Sequence, residues 1–439
     1  MVYVTWCLNW CNGVLFRSLA LAFGQSFLFM TTVLGLPRVS FSCSITRAHI
    51  QLNRRNNMSQ KQHTLYSQVN HTDGMLDWVV LPRPSNFHAH LRTGDMLDAV
   101  AYETMRPWKY QLAMPNTGPI TTLEKMCEYR KKLIEVRDRF GLRTRFIMTV
   151  YLTQELTPSA IIKMAYKDEF SCAVKYYPPE QGATTGSGIG LPLKDAHKVL
   201  LTMEECGVPL LGHFESVRNK NGDELPQELR EDYFADNHFK WLRDKYPNLR
   251  ITFEHATTAS AIQRIQEDSS GRTTCTITPQ AMILVRENLK KLTWGVHGKC
   301  MPIAKTPFDR DAVTAFATSG DFRAYLGDDT APHPASAKNK PFAEAASGCY
   351  VPHSLALYAA IFHQHNALHN LVPFACLNGP HAWELEEPDE DDKVLLIRDT
   401  IHDIPEPVKL KGGNDEVIPF GWGFAPDAHH CGLKLFDPV

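Results

Sequence analysis

The sequence predicts an α/β fold, specifically a closed (β/α)8 barrel of the TIM type, and three observations predict it. From Leu76 onward, short apolar runs alternate with longer stretches of helical pattern. Eight such runs are present, and a parallel strand needs a crossover of about this kind between each pair. Residues capable of chemistry recur at the carboxyl ends of the runs, where a barrel of this type carries its active site.

The expected strands are Phe87–Leu91, Tyr110–Met114, Arg145–Tyr151, Cys172–Tyr177, Pro209–Phe214, Ile251–Glu254, Thr273–Ile277 and Phe322–Leu326. The expected helices are Thr121–Phe140, Thr157–Lys167, Leu193–Cys206, Leu225–Tyr246, Thr257–Gln266 and Pro307–Ser319. The seventh connection is longer and less regular than the others. No internal repeat or low-complexity segment is present. The barrel is expected over 76–380, after a polar linker at 58–75. Beyond it, 381–439 is expected to be an extension packing on the barrel. Glu384–Asp392 reads as a solvated acidic loop, and His429-His430-Cys431 as surface decoration.

The first 57 residues differ in kind. No Asp or Glu precedes Asp73, while Arg17, Arg38, Arg47, Arg54 and Arg55 are present. An acidic-poor, Arg- and Ser-bearing leader fits an organelle transit peptide. The apolar stretch Val14–Leu36 is interrupted by Arg17 and Gln25, which argues against a membrane anchor. Met58 offers a third reading, in which translation starts there. The expected location is the cytoplasm, or an organelle matrix if the leader is a transit peptide.

Net charge is −2 and no basic block is present, so neither nucleic acid nor membrane is expected as a partner. Eleven cysteines, an odd number, lie scattered and mostly in apolar runs, as reduced core residues do.

Phe87-His88-Ala89-His90-Leu91-Arg92 carries the sharpest signal. Residues two apart on a strand share a face, so His88 and His90 can grip one metal ion with Arg92 beside them. With 19 His in the chain, such a triplet arises by chance roughly once. His363-Gln364-His365 is the decoy. It reads as helix, where residues two apart diverge. Support comes from the other strand ends: Asn116, Lys175, His213, His255 and Asp329. Alone, each has an ordinary reading: core histidine, snorkelling lysine, turn residue or cap. Together, at the ends of several strands, they point to a metal site binding an anionic small molecule.

These residues sit in motifs that resemble the dihydroorotases of the single-function bacterial and fungal type, within the amidohydrolase superfamily. The resemblance runs from about Leu81 to Pro380. Its strongest pieces are His88-Ala89-His90-Leu91-Arg92, Met114-Pro115-Asn116, Lys175-Tyr176-Tyr177-Pro178, Phe253-Glu254-His255 and Asp329-Thr330-Ala331-Pro332-His333.

The resemblance implies two zinc ions per subunit. His88, His90 and Asp329 would hold one and His213 and His255 the other, with Lys175 bridging them as a carbamate. A free ammonium, with a pKa near ~10.4, repels a cation, whereas the carbon dioxide adduct is an anionic bridge. Metal-bound water ionises near pH ~7, which supplies a nucleophile. Arg92, Asn116 and His333 would take the substrate carboxylate, and the backbone at Met301 the ring's polar edge. Thr184 and Thr185 would belong to a mobile lid, and Asp329 would carry the catalytic proton. The implied reaction is the reversible closure of N-carbamoyl-L-aspartate to L-dihydroorotate in pyrimidine biosynthesis. The expected assembly is a homodimer.

The chain departs from the family pattern at Asn86-Phe87, usually Asp-Trp, at Phe214, usually Gly, and at Asp328, usually Thr or Ser. Asp328 adds a negative charge beside the expected metals. No expected ligand is lost. A hydantoinase- or dihydropyrimidinase-like enzyme would share the metals but need no Arg92-Asn116-His333 clamp. A catalytically silent partner subunit would be expected to lack ligands.

Overall fold

A computed structural model describes residues 68–72, 75–167, 170–180, 188–290, 295–389, 391–399, 401, 403–422 and 432–436. The leader, Thr184 and Thr185, and His429-His430-Cys431 lie outside these residues.

Eight strands form one sheet: β1 (Asn86–Ala89), β2 (Tyr110–Ala113), β3 (Arg145–Tyr151), β4 (Cys172–Tyr176), β5 (Leu210–Gly212), β6 (Ile251–Phe253), β7 (Thr273–Ile277) and β8 (Ala324–Leu326). They pair in sequence order, each parallel to the next. The seam between β8 and β1 is closed by residues just past β8 pairing with the end of β1 and the residue after it. Asp329 N donates to His88 O at 3.0 Å, and His90 N donates to Thr330 O at 2.9 Å.

Alternation sorts the side chains. On β4, Val174 and Tyr176 pack outward against the helices, while Ala173 joins an interior cluster with Phe87, Leu112, Ile147, Leu211 and Tyr325. That cluster is an apolar floor, and the polar residues stand above it. β1 carries a bulge: Asn86 to Ala89 spans three steps where Gln111 to Ala113 on β2 spans two. The extra residue lets Phe87 join the floor while His88 reaches the polar layer next to it.

The helices start where the sequence offers caps. Thr122, Thr157, Thr258, Thr278 and Thr306 each accept a backbone N–H with the side chain at a helix N-cap, worth about 1 kcal/mol apiece. The expected helix Leu225–Tyr246 is less regular than its pattern. A 3-10 turn, Gln227–Leu229, precedes Arg230–Phe234, and a π-turn, Ala235–Phe239, separates that helix from Lys240–Lys245. Leu193–Cys206 shortens to His197–Cys206. His363 lies in the helix Ser354–Gln364 and His365 at its cap, as their pattern predicts.

A second, antiparallel sheet joins strands from both ends of the described chain, in the order Gln68–Thr72, Met75–Pro82, Lys393–Arg398, Leu433–Phe436. Its first strand falls in the stretch 58–75 and its last two in 381–439. Among the described residues no helix is long and apolar enough to cross a membrane, and no disulfide joins the described cysteines.

Candidate metal centre

The barrel brings chemistry-bearing side chains from five strand ends to one place. Asp329 Oδ1 lies 3.2 Å from His88 Nε2 and 3.0 Å from His90 Nε2. His213 Nδ1 lies 3.2 Å from His255 Nε2. The His88 and His255 rings are 4.9 Å apart, so the two groups adjoin. Lys175 is fully buried with its ammonium against the Glu254 carboxylate, and the other Glu254 oxygen lies 3.0 Å from His88 Nδ1.

The fit to a cation rests on these atoms. One ligand atom each from His88, His90 and Asp329 lies within 4.8 Å of the others, and the same holds for His88, Glu254 and His255. Ligands at ~2.0–2.2 Å from a tetrahedral zinc stand just over 3 Å from one another. Asp329 Oδ1 is buried and takes no hydrogen bond despite two imidazole nitrogens near it, and His255 Nδ1 is likewise unpartnered. Such crowding of lone-pair atoms suits a shared ion better than it suits hydrogen bonding.

The backbone is bent to achieve it. Arg92, His255 and Asp329 have φ of 62°, 42° and 49°. Side-chain-bearing residues rarely adopt such angles, and they concentrate at functional sites. At His255 the turn breaks strand alternation, so Glu254 and His255 both face the site.

Three of the imidazoles are aimed from behind. His90 Nδ1 meets Asn116 Oδ1 at 2.6 Å, His213 Nε2 meets Glu215 Oε2 at 2.6 Å, and His88 Nδ1 faces Glu254. In each case the other nitrogen is left toward the centre. Sequence reading gave Glu215 and Glu254 no role. The available signal was a carboxylate inside an otherwise apolar strand end.

Electrostatics follow from burial against close charges. Burial opposes a charge on His88, but Glu254 and then Asp329 outweigh it and raise its pKa to about 9. Burial also opposes ionisation of Asp329, yet His88 and His90 hold it well below the carboxylate range. Burial lowers the Lys175 ammonium, against the pull of Glu254, which favours the neutral amine.

A cavity of about 320 Å³ opens above the centre. His90, His213, His255 and Asp329 line it together with Arg92, Asn116, Tyr177, Met301 and His333. Arg92 Nε donates to Pro332 O at 2.9 Å, and its Nη2 lies 3.0 Å from His333 Nε2. Burial, and next the Arg92 charge, push His333 down to about 3, so it is neutral. Asn116 Oδ1 meets His90 Nδ1, which sets the Asn116 side chain in the cavity wall beside Arg92. The rim 342–348 is held by Lys299, whose ammonium donates to the carbonyls of Phe342, Ala343 and Ala345.

The departures from the family pattern have local causes. Asp328 turns its carboxylate onto Thr330 N at 2.9 Å and Ser354 Oγ at 2.7 Å, and burial raises its pKa to about 6. Neutral Asn86 sits next to it, accepting the backbone N–H of Asp328 and of His88. Phe214 packs among Phe234, Phe239 and Phe253 in the helix layer, outside the cavity.

No family model matches the chain. The dihydroorotase of Halorhodospira halophila (strain DSM 244 / SL1) is 37% identical over 351 residues, covering 79% of this chain and 97% of that protein. The crystal structure of dihydroorotase in complex with 5-fluoroorotic acid from Saccharomyces cerevisiae matches with a TM-score of 0.71 at 27% identity, covering 83% of this chain and 100% of that one. The L-hydantoinase (dihydropyrimidinase) from Arthrobacter aurescens shares the fold, with a TM-score of 0.58 at 15% identity, over 81% of this chain and 93% of its own. The chain belongs to the dihydroorotase family.

Proposed function

We propose that the chain interconverts N-carbamoyl-L-aspartate and L-dihydroorotate at this centre, with two zinc ions and a carbamate on Lys175. In the closing direction the ureido nitrogen bonds to the side-chain carboxyl carbon, and one carboxyl oxygen leaves as water. The substrate's other carboxylate is untouched and serves as its handle.

The observation that carries this reading is the placement of Arg92, Asn116 and His333 in one cavity with His90, His213, His255 and Asp329. Arg92 offers a planar fork to the carboxylate. Asn116 donates its amide, and neutral His333 adds a hydrogen bond without a competing charge. The backbone at Met301 meets the ring's polar edge. His88, His90, Lys175, His213, His255 and Asp329 would hold the divalent ions, which would supply positive charge to polarise the reacting carbonyl and acidify water. Asp329, low in pKa and beside both groups of histidines, carries the proton to and from the ring nitrogen. The stretch 76–380 is the catalytic unit.

Ring opening of L-dihydroorotate by purified protein tests this, with dihydrouracil as the control that lacks a carboxylate. Opening of dihydroorotate alone is expected. Equal turnover of dihydrouracil would overturn the role of the carboxylate clamp.

A further inference from the structure

Glu254 is a carboxylate of the polar layer that the proposed chemistry does not use. It is fully buried at the end of β6. One of its oxygens contacts Lys175 Nζ and the other lies 3.0 Å from His88 Nδ1. That second oxygen and His88 Nδ1 are both buried and have no hydrogen-bond partner, so each has only the other close by to satisfy it. Glu254 approaches His88 from the edge opposite Nε2, the nitrogen turned to Asp329. It therefore stands behind His88 relative to His90 and Asp329, and one of its oxygens is already taken by the lysine.

We infer that Glu254 is the positioning residue of the centre, tying His88 and Lys175 to one carboxylate. Toward His88, it takes the proton on Nδ1 and leaves Nε2 as the lone-pair nitrogen for the ion shared with His90 and Asp329. Toward Lys175, it accepts an N–H both before and after carbamate formation. When the neutral amine adds carbon dioxide, an N–C bond forms, one proton leaves to solvent and one N–H stays on nitrogen. That remaining N–H still donates to Glu254, so the carbamate's oxygens face away from it. The lysine half of this role rests on the carbamate reading above, whereas the histidine half stands without it.

The test compares wild type with Glu254→Gln. The amide keeps the shape but has a single acceptor oxygen, and its N–H2 end faces a donor. Metal-free protein is titrated with zinc, and the carbamate is followed by carbon NMR in labelled bicarbonate. The expected result is a zinc affinity about 10- to 100-fold weaker, a reduced carbamate signal, and activity partly restored by excess zinc and bicarbonate. Glu254→Asp, which keeps the charge but is too short to span both partners, should show the same weakening. It serves as the test if the amide variant does not fold. Zinc affinity and carbamate signal equal to wild type in either folded variant would overturn the inference. If wild type shows no carbamate while the variants still lose zinc affinity, the carbamate reading falls and the link between Glu254 and His88 stands.

Discussion

Asp329 donates its backbone N–H to the carbonyl of His88 at 3.0 Å, while its carboxylate lies 3.2 Å from the same residue's imidazole. Closing the barrel and assembling the centre are thus one event. The ligand set cannot form in a chain whose last strand has not docked on its first.

Lys175 is buried without a cavity-facing surface of its own, so its value lies in what it joins. Lys175→Ala is expected to lower dihydroorotate opening by at least on the order of a hundredfold, with fewer than two zinc ions retained per chain by elemental analysis. Unchanged turnover would refute the bridging role.

Arg92 lines the cavity beside His333 and is not one of the expected metal ligands. Arg92→Met removes the fork to the carboxylate, a loss of about 1.5–3 kcal/mol. KM for N-carbamoyl-L-aspartate should rise roughly 10- to 100-fold, with the metal content equal to wild type.

Phe214 occupies space left by Gly212, where a Cβ would lie 2.0 Å from the Phe214 ring. Gly212→Ala should therefore cost about 1–3 kcal/mol by denaturant unfolding. In a Phe214→Ala background the same change should cost far less, because the two sites share one volume.

Glu231 is buried and accepts four hydrogen bonds from the backbone and hydroxyls of Thr257 and Thr258, just past His255. Burial outweighs those bonds and the charge of Lys305, pushing its pKa up to about 7. A carboxyl raised in the folded state binds its proton more tightly there than in the unfolded chain. Its contribution is then fully present below pH ~4.5 and lost as pH rises through about 7. Glu231→Gln cannot titrate, so its melting temperature should fall less than wild type's between pH 5 and 7.5, within about that window. Parallel slopes would contradict the assignment.

Much of this was legible in the sequence, for reasons that mark where legibility ends. The barrel strands announce themselves because each is buried on both faces and reads as an apolar run. His88, His90, Lys175 and Asp329 stand out because polar groups interrupt those runs at their carboxyl ends. Glu254 stayed hidden because its task depends on partners on β1 and β4, which no local pattern encodes. The bulge that turns Phe87 into the floor is a register property of β1 against β2. The second sheet pairs Leu396 with Val79, from opposite ends of the chain. Asp328 reads from sequence as added charge beside the site, but Ser354 and the Thr330 N–H draw its carboxylate aside.

The central claim is that one mouth of this barrel holds paired cations bridged through Lys175. Anomalous scattering at the zinc edge from crystals of the zinc-loaded protein tests it most directly. The account predicts two peaks, one bounded by His88, His90 and Asp329 and one by His213 and His255, with density bridging them continuous with Lys175. A single peak, or peaks remote from these side chains, would contradict it.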